Sequence, residues 1–227
     1  MNKPIKFSIL ALTSLALLQA CNLTDENTLK RYSVTVTNLT NNQPLAPVGT
    51  VLHKEGYHAY SVGGTASNQL ESLAESGDNS TLLSTAEADV MVIDTISGSG
   101  VITPGSSETM TVQGMGAQPR LSLVSMLVNT NDGFVAIDSS DISELASGES
   151  RVMYTKAYDA GTEANTEAAS DVPGQSGEGF NMARNDRDFV AIHAGIVGMD
   201  DGLATSVLDQ SHRFDNPVAK VVVTRTQ

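Results

Sequence analysis

The sequence predicts an all-β protein, an antiparallel β-sandwich of about eight strands with one short helical insertion. Three observations carry that expectation. YSVTVTNLT (residues 32–40) alternates strictly between apolar and polar residues, the period of a strand with one buried face. Similar runs of β-branched residues recur along the chain, separated by turn-rich connections. Only one stretch has helical spacing, and strands and helices never alternate as a parallel sheet requires.

In chain order, NNQPLAPVG is a turn-rich connection and VGTVLHKE a second strand. In SNQLESLAESGDNSTLLSTAE, Ser67 or Asn68 caps a helix whose Leu70, Leu73 and Ala74 share a face, and Gly77 stands where it ends. Asn79-Ser80 opens a second short helical turn through Leu82 and Leu83. Strands return in DVMVIDTI and SSETMTVQG, with SGSGVITPG as the loop between them. Further strands are RLSLVSMLV, GFVAID, SRVMYTKAY, DFVAIHAGI and PVAKVVVTRT. Residues 161–186 form a long polar stretch with no period, which within a compact domain is either functional or disordered. No repeat and no boundary appears after residue 31, so residues 31–227 read as one domain.

Composition narrows the function. The chain has 227 residues and a formal net charge of −13, which argues against a nucleic-acid partner and suits a divalent cation. Five Phe, five Tyr and no Trp leave the core to aliphatic side chains. Residues 1–20 have the form of a secretory leader: Lys3 and Lys6, an apolar run FSILALTSLALL too short for an ordinary membrane span, and a small residue before the cut. LQAC, ending at Cys21, resembles a bacterial lipoprotein box, with lipid on Cys21 and cleavage before it; an ordinary leader with an incidental cysteine is the alternative. Residues 21–30 then serve as a tether, and acyl chains contributing about 0.8 kcal/mol per buried methylene hold the protein to a membrane. Asn22, rather than Asp, after the cysteine favours the outer membrane, facing either the periplasm or the cell surface. Cys21 is the only cysteine, so the fold holds without disulfides.

The candidate chemistry lies in carboxylates at strand ends. Asp132 ends LVSMLVNTN, Asp159 ends SRVMYTKAY, and Glu163 follows after Ala-Gly-Thr. Were both strands to end at one pole, the three acids could share a calcium ion, which takes six to eight oxygens, and Gly161 would let the chain fold tightly enough for two of them. The alternative is plain turn chemistry, because Asp132-Gly133 makes a hairpin turn unaided. NTNDGFVAIDSS is no EF-hand, since that register puts Val128 first and Ser139 twelfth. Asp138 and Asp141 read as surface or capping residues, Asp186 and Asp188 around Arg187 as a solvated charge patch, and Met199–Gly202 as a turn. His193 reads as a strand residue, either solvent-facing or satisfied in the core.

These segments carry a resemblance. LSLVSMLVNTNDGFVAIDSSDI is similar to the strand–Asp–strand signature of the spondin domain, and YDAGTE resembles that family's Asp-Ala-Gly-Thr-Asp motif. EGYHAYSVGGTASNQLESLAESGDNSTLL resembles its Ala-Glu-x-Gly-Asp region and FDNPVAKVVVTRT its closing strand. The matches fall in the family's order across residues 31–226. The resemblance implies a C2-like sandwich holding one Ca²⁺ through Asp132, Asp159 and Glu163. Glu163 replaces the usual Asp, Gly133 stands where Trp is common, and the cysteines of animal members are missing.

Signatures of catalysis are lacking. GQSGEGF is not a nucleophile elbow, because Glu178 replaces the second glycine. His53, His58, His193 and His212 show no zinc spacing, and SGSG is not followed by the Lys of a phosphate loop. The expected function is a non-enzymatic, calcium-binding adhesion module anchored by lipidated Cys21, its partner an unidentified protein or glycan. The alternatives are a structural envelope lipoprotein with no specific ligand and a carboxylate hydrolase, whose acids leave no sequence signature.

Overall fold

In a computed structural model that describes residues 27–116 and 118–227, the alternation of the first strand is realised directly: Tyr32, Val34 and Val36 are fully buried and Ser33, Thr35 and Thr37 are not. The leader, Cys21 and most of the tether lie outside the described residues.

The strands are β1 (Lys30–Asn38), β2 (Gly49–His53), β3 (Val92–Ser97), β4 (Ser107–Gly114), β5 (Arg120–Met126), β6 (Gly133–Asp141), β7 (Ser150–Tyr154), β8 (Lys156–Asp159), β9 (Ala191–Ile192) and β10 (Ala219–Arg225). Two helices, α1 (Asn68–Ser76) and α2 (Ser80–Glu87), follow β2. One sheet runs β4-β1-β10-β7 and the other β3-β2-β5-β6-β8-β9, with every pair antiparallel. The protein is therefore an all-β sandwich. Val34, Met110, Val112 and Val221 of the first sheet pack against Leu52, Leu121, Leu123 and Val135 of the second.

The second sheet is covered on its outer side too. Val51, Val124, Phe134 and Ala136 meet Leu70, Leu73, Leu82 and Leu83 of the helices. With both faces covered, β5 is buried almost throughout rather than alternately, Ser122 and Ser125 included. Ser67 caps α1 by accepting from the Leu70 amide at 3.1 Å, and Gly77 ends it in the left-handed region at φ 74°. Asn79 is spent differently from the cap its sequence suggests. Its side-chain amide donates to the Pro47 carbonyl (2.8 Å) and to Ser97 Oγ (3.0 Å), which ties the helical insertion to the strands.

Two strand expectations change. SRVMYTKAY is two strands in different sheets, because buried Thr155 breaks the run: its amide donates to the Ala219 carbonyl at 3.0 Å and its hydroxyl accepts from the Ala219 amide at 2.9 Å. DFVAIHAGI contributes only Ala191–Ile192 as strand. Val190 is hydrogen-bonded to Gly63 and Gly64 instead, and Gly195 turns the chain at φ 89°. The split of the first segment is one reason that the described residues form ten strands where about eight were expected.

Candidate metal centre

β6 and β8 pair with Gly133 opposite Asp159, so the two acidic motifs meet at one end of the second sheet. Asp132 precedes β6 and its carbonyl accepts from the Ala160 amide at 3.2 Å, extending the ladder by one step. Glu163 is joined to the same place through its backbone. Asp132 Oδ2 accepts from the amides of Thr162 (2.7 Å) and Glu163 (3.1 Å) and from the Thr162 hydroxyl (3.1 Å).

The hairpin does not turn on Asp132. Thr130 makes the turn: its amide and hydroxyl both donate to the Leu127 carbonyl (3.1 and 2.6 Å), and its hydroxyl accepts from the Gly133 amide (2.9 Å). Gly133 is there for space. A Cβ at that position would stand 2.5 Å from Thr130 Oγ1 and 3.0 Å from His193 Cδ2. Gly161 is needed twice over, by φ 72° and by a Cβ that would meet the Phe189 carbonyl oxygen at 2.3 Å.

The side chain of Asp132 is thus free of turn chemistry and fully buried. Its Oδ1 receives no hydrogen bond among the described residues. Burial, and then the charge of Asp159, push its carboxyl up to about 7. Glu163 is pushed up to about 8 by burial, then by Glu75, Asp132 and Asp171. Asp159 is satisfied: Oδ1 accepts from the Gly161 amide (2.8 Å), and Oδ2 accepts from Asn165 (2.7 Å) and from Arg187 (2.5 Å).

Two participants escaped the sequence. Arg187, read as part of a solvated patch, reaches in to pair with buried Asp159 while also touching Asp186 at 3.3 Å. Glu75 on α1 is a further buried carboxylate. Its Oε2 accepts from the Asn181 amide (2.9 Å), its Oε1 has no partner among the described residues, and burial raises its proton affinity. The signal for Glu75 was present, since Glu71 and Glu75 are four residues apart beside the apolar stripe of α1. Glu71 is answered by Arg184 at 2.5 Å.

The other acids and the histidine fall as follows. Asp138 accepts from the Ala59 amide (3.1 Å) and pairs with His58 (2.5 Å), and Asp141 caps Ser143 (2.9 Å). His193 is buried. Its Nδ1 accepts from the Gly195 amide at 2.9 Å, while Nε2 has no partner among the described residues. The long polar stretch after Gly161 is also ordered around a buried acid: Glu167 accepts from the amides of Val197 (2.7 Å) and Gly198 (2.9 Å) and from the Ser206 hydroxyl (2.6 Å).

An all-oxygen set with an unanswered buried carboxylate oxygen has the chemistry of a hard-cation site. The carboxylates do not complete one as they stand: among the described residues, no three His, Cys, Asp or Glu side chains are grouped to hold an ion. A calcium ion at Asp132 would draw further oxygens from backbone carbonyls and water.

The spondin N-terminal domain model matches residues 35–182, about two thirds of the chain. The chain belongs to the spondin N-terminal domain family. The spondin match takes in Glu75, Asp132, Asp159 and Glu163 and stops short of Arg187 and β10. A comparison with curated proteins finds no match to this chain.

Proposed function

We propose that this spondin-family protein is a non-enzymatic binding or adhesion module, stabilised by one calcium ion and held to the bacterial outer membrane by lipid on Cys21. The observation that carries the calcium reading is Asp132 Oδ1, buried without a hydrogen bond among the described residues and beside a second carboxylate. Removing such a group from water without a partner costs several kcal/mol, and a cation offsets it. Asp132 and Glu163 would hold the ion, with Asp159 joining if it releases Arg187. The ion would supply charge neutralisation and tie β6 to the loop after β8. The anchor reading rests on the leader and LQAC, and the partner is a protein or glycan bound by the loops.

Melting of the purified protein in chelator and in millimolar calcium tests the metal. A ligand at a hundred times its dissociation constant adds about 2.7 kcal/mol, so a clear rise in melting temperature is expected. No rise removes the ion. Mass spectrometry of the N-terminal peptide tests the lipid.

A second reading has its own observation. Arg187 already neutralises Asp159, and at low pH a proton on Asp132 would do the rest. On that reading the protein is a structural envelope lipoprotein whose acids need no metal, and calcium leaves its melting unchanged.

A further inference from the structure

The sandwich has two ends of different character. The acids occupy the end where β6 starts and β8 finishes. The described chain enters at the other end, where Lys30 lies opposite Gly114 and His53 opposite Arg120. Around that entry, large apolar side chains stand exposed among Lys54, Glu55 and Asp89. Val90 is 85% exposed, Met115 58%, Met91 38% and Leu29 37%. Met91 and Met115 line a groove of about 540 Å³ together with Asn27, Lys54 and Glu55. The entering chain is itself part of the groove wall.

We propose that this entry end is a membrane-resting surface: Leu29, Val90, Met91 and Met115 lie against the lipid headgroup–acyl boundary, and the acidic end points away from the bilayer. The inference rests on the lipid anchor proposed above. Chain length decides which end faces the lipid. Five residues separate Cys21 from Asn27, and a fully extended chain of that length reaches about 20 Å. β1, nine residues long, spans about 26 Å from Lys30 to Asn38. A tether rooted at Asn27 therefore cannot carry the lipid to the acidic end. The exposed Met182, in the loop whose Asn181 amide donates to Glu75, belongs to that acidic end. Flexible methionine side chains and a valine, on a rim where Glu55 pairs with Arg120 at 3.7 Å and Lys54 adds a positive charge, suit an interfacial contact with weakly anionic lipid. Each contact is weak alone. Anchored beside the membrane, the surface meets the lipid at high effective concentration, so weak contacts suffice to set orientation.

Quenching in vesicles tests the orientation. Lipidation occupies the Cys21 thiol, so an introduced cysteine is the only free one. A fluorophore is placed at Met115→Cys or, at the acidic end, at Ser80→Cys, and the full-length lipidated protein is reconstituted in phosphatidylethanolamine–phosphatidylglycerol vesicles carrying spin-labelled acyl chains. Quenching several-fold stronger at 115 than at 80 is expected. A second pair frees the result from the label's own apolarity. With the label at Lys54→Cys, quenching is expected to fall several-fold when Val90→Glu and Met115→Glu are added. Equal quenching at 115 and 80, or none at 115, on protein whose Cys21 carries lipid overturns the orientation and leaves the anchor standing. A Cys21 without lipid in the native host's membrane removes both.

Discussion

Arg187 holds Asp159 at 2.5 Å from across the pole loop, and Asp159 is 1% exposed. Asn165 and the Gly161 amide complete the hydrogen bonding of Asp159, while Asp132, beside its ladder position, keeps one oxygen unanswered among the described residues. Two neighbouring carboxylates thus have opposite fates, and a cation drawn to Asp132 would compete with Arg187 for Asp159. Arg187→Ala is expected to lower the stability of metal-free protein by about 1–3 kcal/mol, the cost of a buried acceptor losing its charged partner. The guanidinium is partly exposed, which places the effect at the low end. The calcium-induced rise in melting temperature should become larger than in the wild type. Denaturant titration with and without calcium checks both, and a smaller calcium increment would mean the arginine assists the ion.

Acid should stabilise the metal-free protein. Asp132 and Glu163 bind protons more tightly folded, at about 7 and about 8, than unfolded near 4. Between those values the native state holds more protons than the unfolded one, so unfolding free energy falls as pH rises from about 4 to about 8. In chelator, these two groups make the protein more stable near pH 5 than near pH 8. Calcium reverses this trend by displacing the protons, and its affinity drops as pH falls below about 7. Asp132→Asn should reduce the pH dependence to the share carried by Glu163 and abolish the calcium response together. Melting across pH with and without calcium reads all three, and an unchanged slope in Asp132→Asn rules out Asp132 as the titrating group.

Much of this was legible in the sequence, for physical reasons. Strands such as β1 announce themselves because one face meets the core and the other water. α1 carries its own start and stop in Ser67 and Gly77. The adjacency of Asp132 and Asp159 was reached through motif order, and the β6–β8 register is what brings them together. Arg187 was not legible, because its partner is 28 residues away and local spacing shows only its flanking aspartates. The break at Thr155 was equally hidden. Nothing in SRVMYTKAY interrupts strand chemistry, and only the pairing with Ala219 shows that the chain changes sheets there.

Glu167 organises the segment from Val197 to Ser206. It is 3% exposed and accepts two backbone amides and a hydroxyl at 2.6–2.9 Å. Glu167→Ala leaves the Val197 and Gly198 donors without their acceptor, an expected loss of about 2–4 kcal/mol. Hydrogen exchange should show lost protection at those two amides, while β1 and β10 keep theirs relative to global stability. Protection retained at both amides would mean that another acceptor holds the loop.

Gly133→Ala probes the hairpin without touching a charge. The added Cβ falls 2.5 Å from Thr130 Oγ1 and 2.9 Å from Thr130 Cβ, and neither atom is the far end of a flexible side chain. Thr130 is pinned by its own bonds to Leu127 and Gly133, so relief requires the turn itself to shift. Overpacking of this kind costs about 1–3 kcal/mol. The shift would also move the Asp132 backbone away from Ala160, loosening the contact between the two acidic motifs. The variant is therefore expected to unfold at lower denaturant and to respond less to calcium, and both readings come from the same titration. A loss of stability with an intact calcium response would separate the turn from the site.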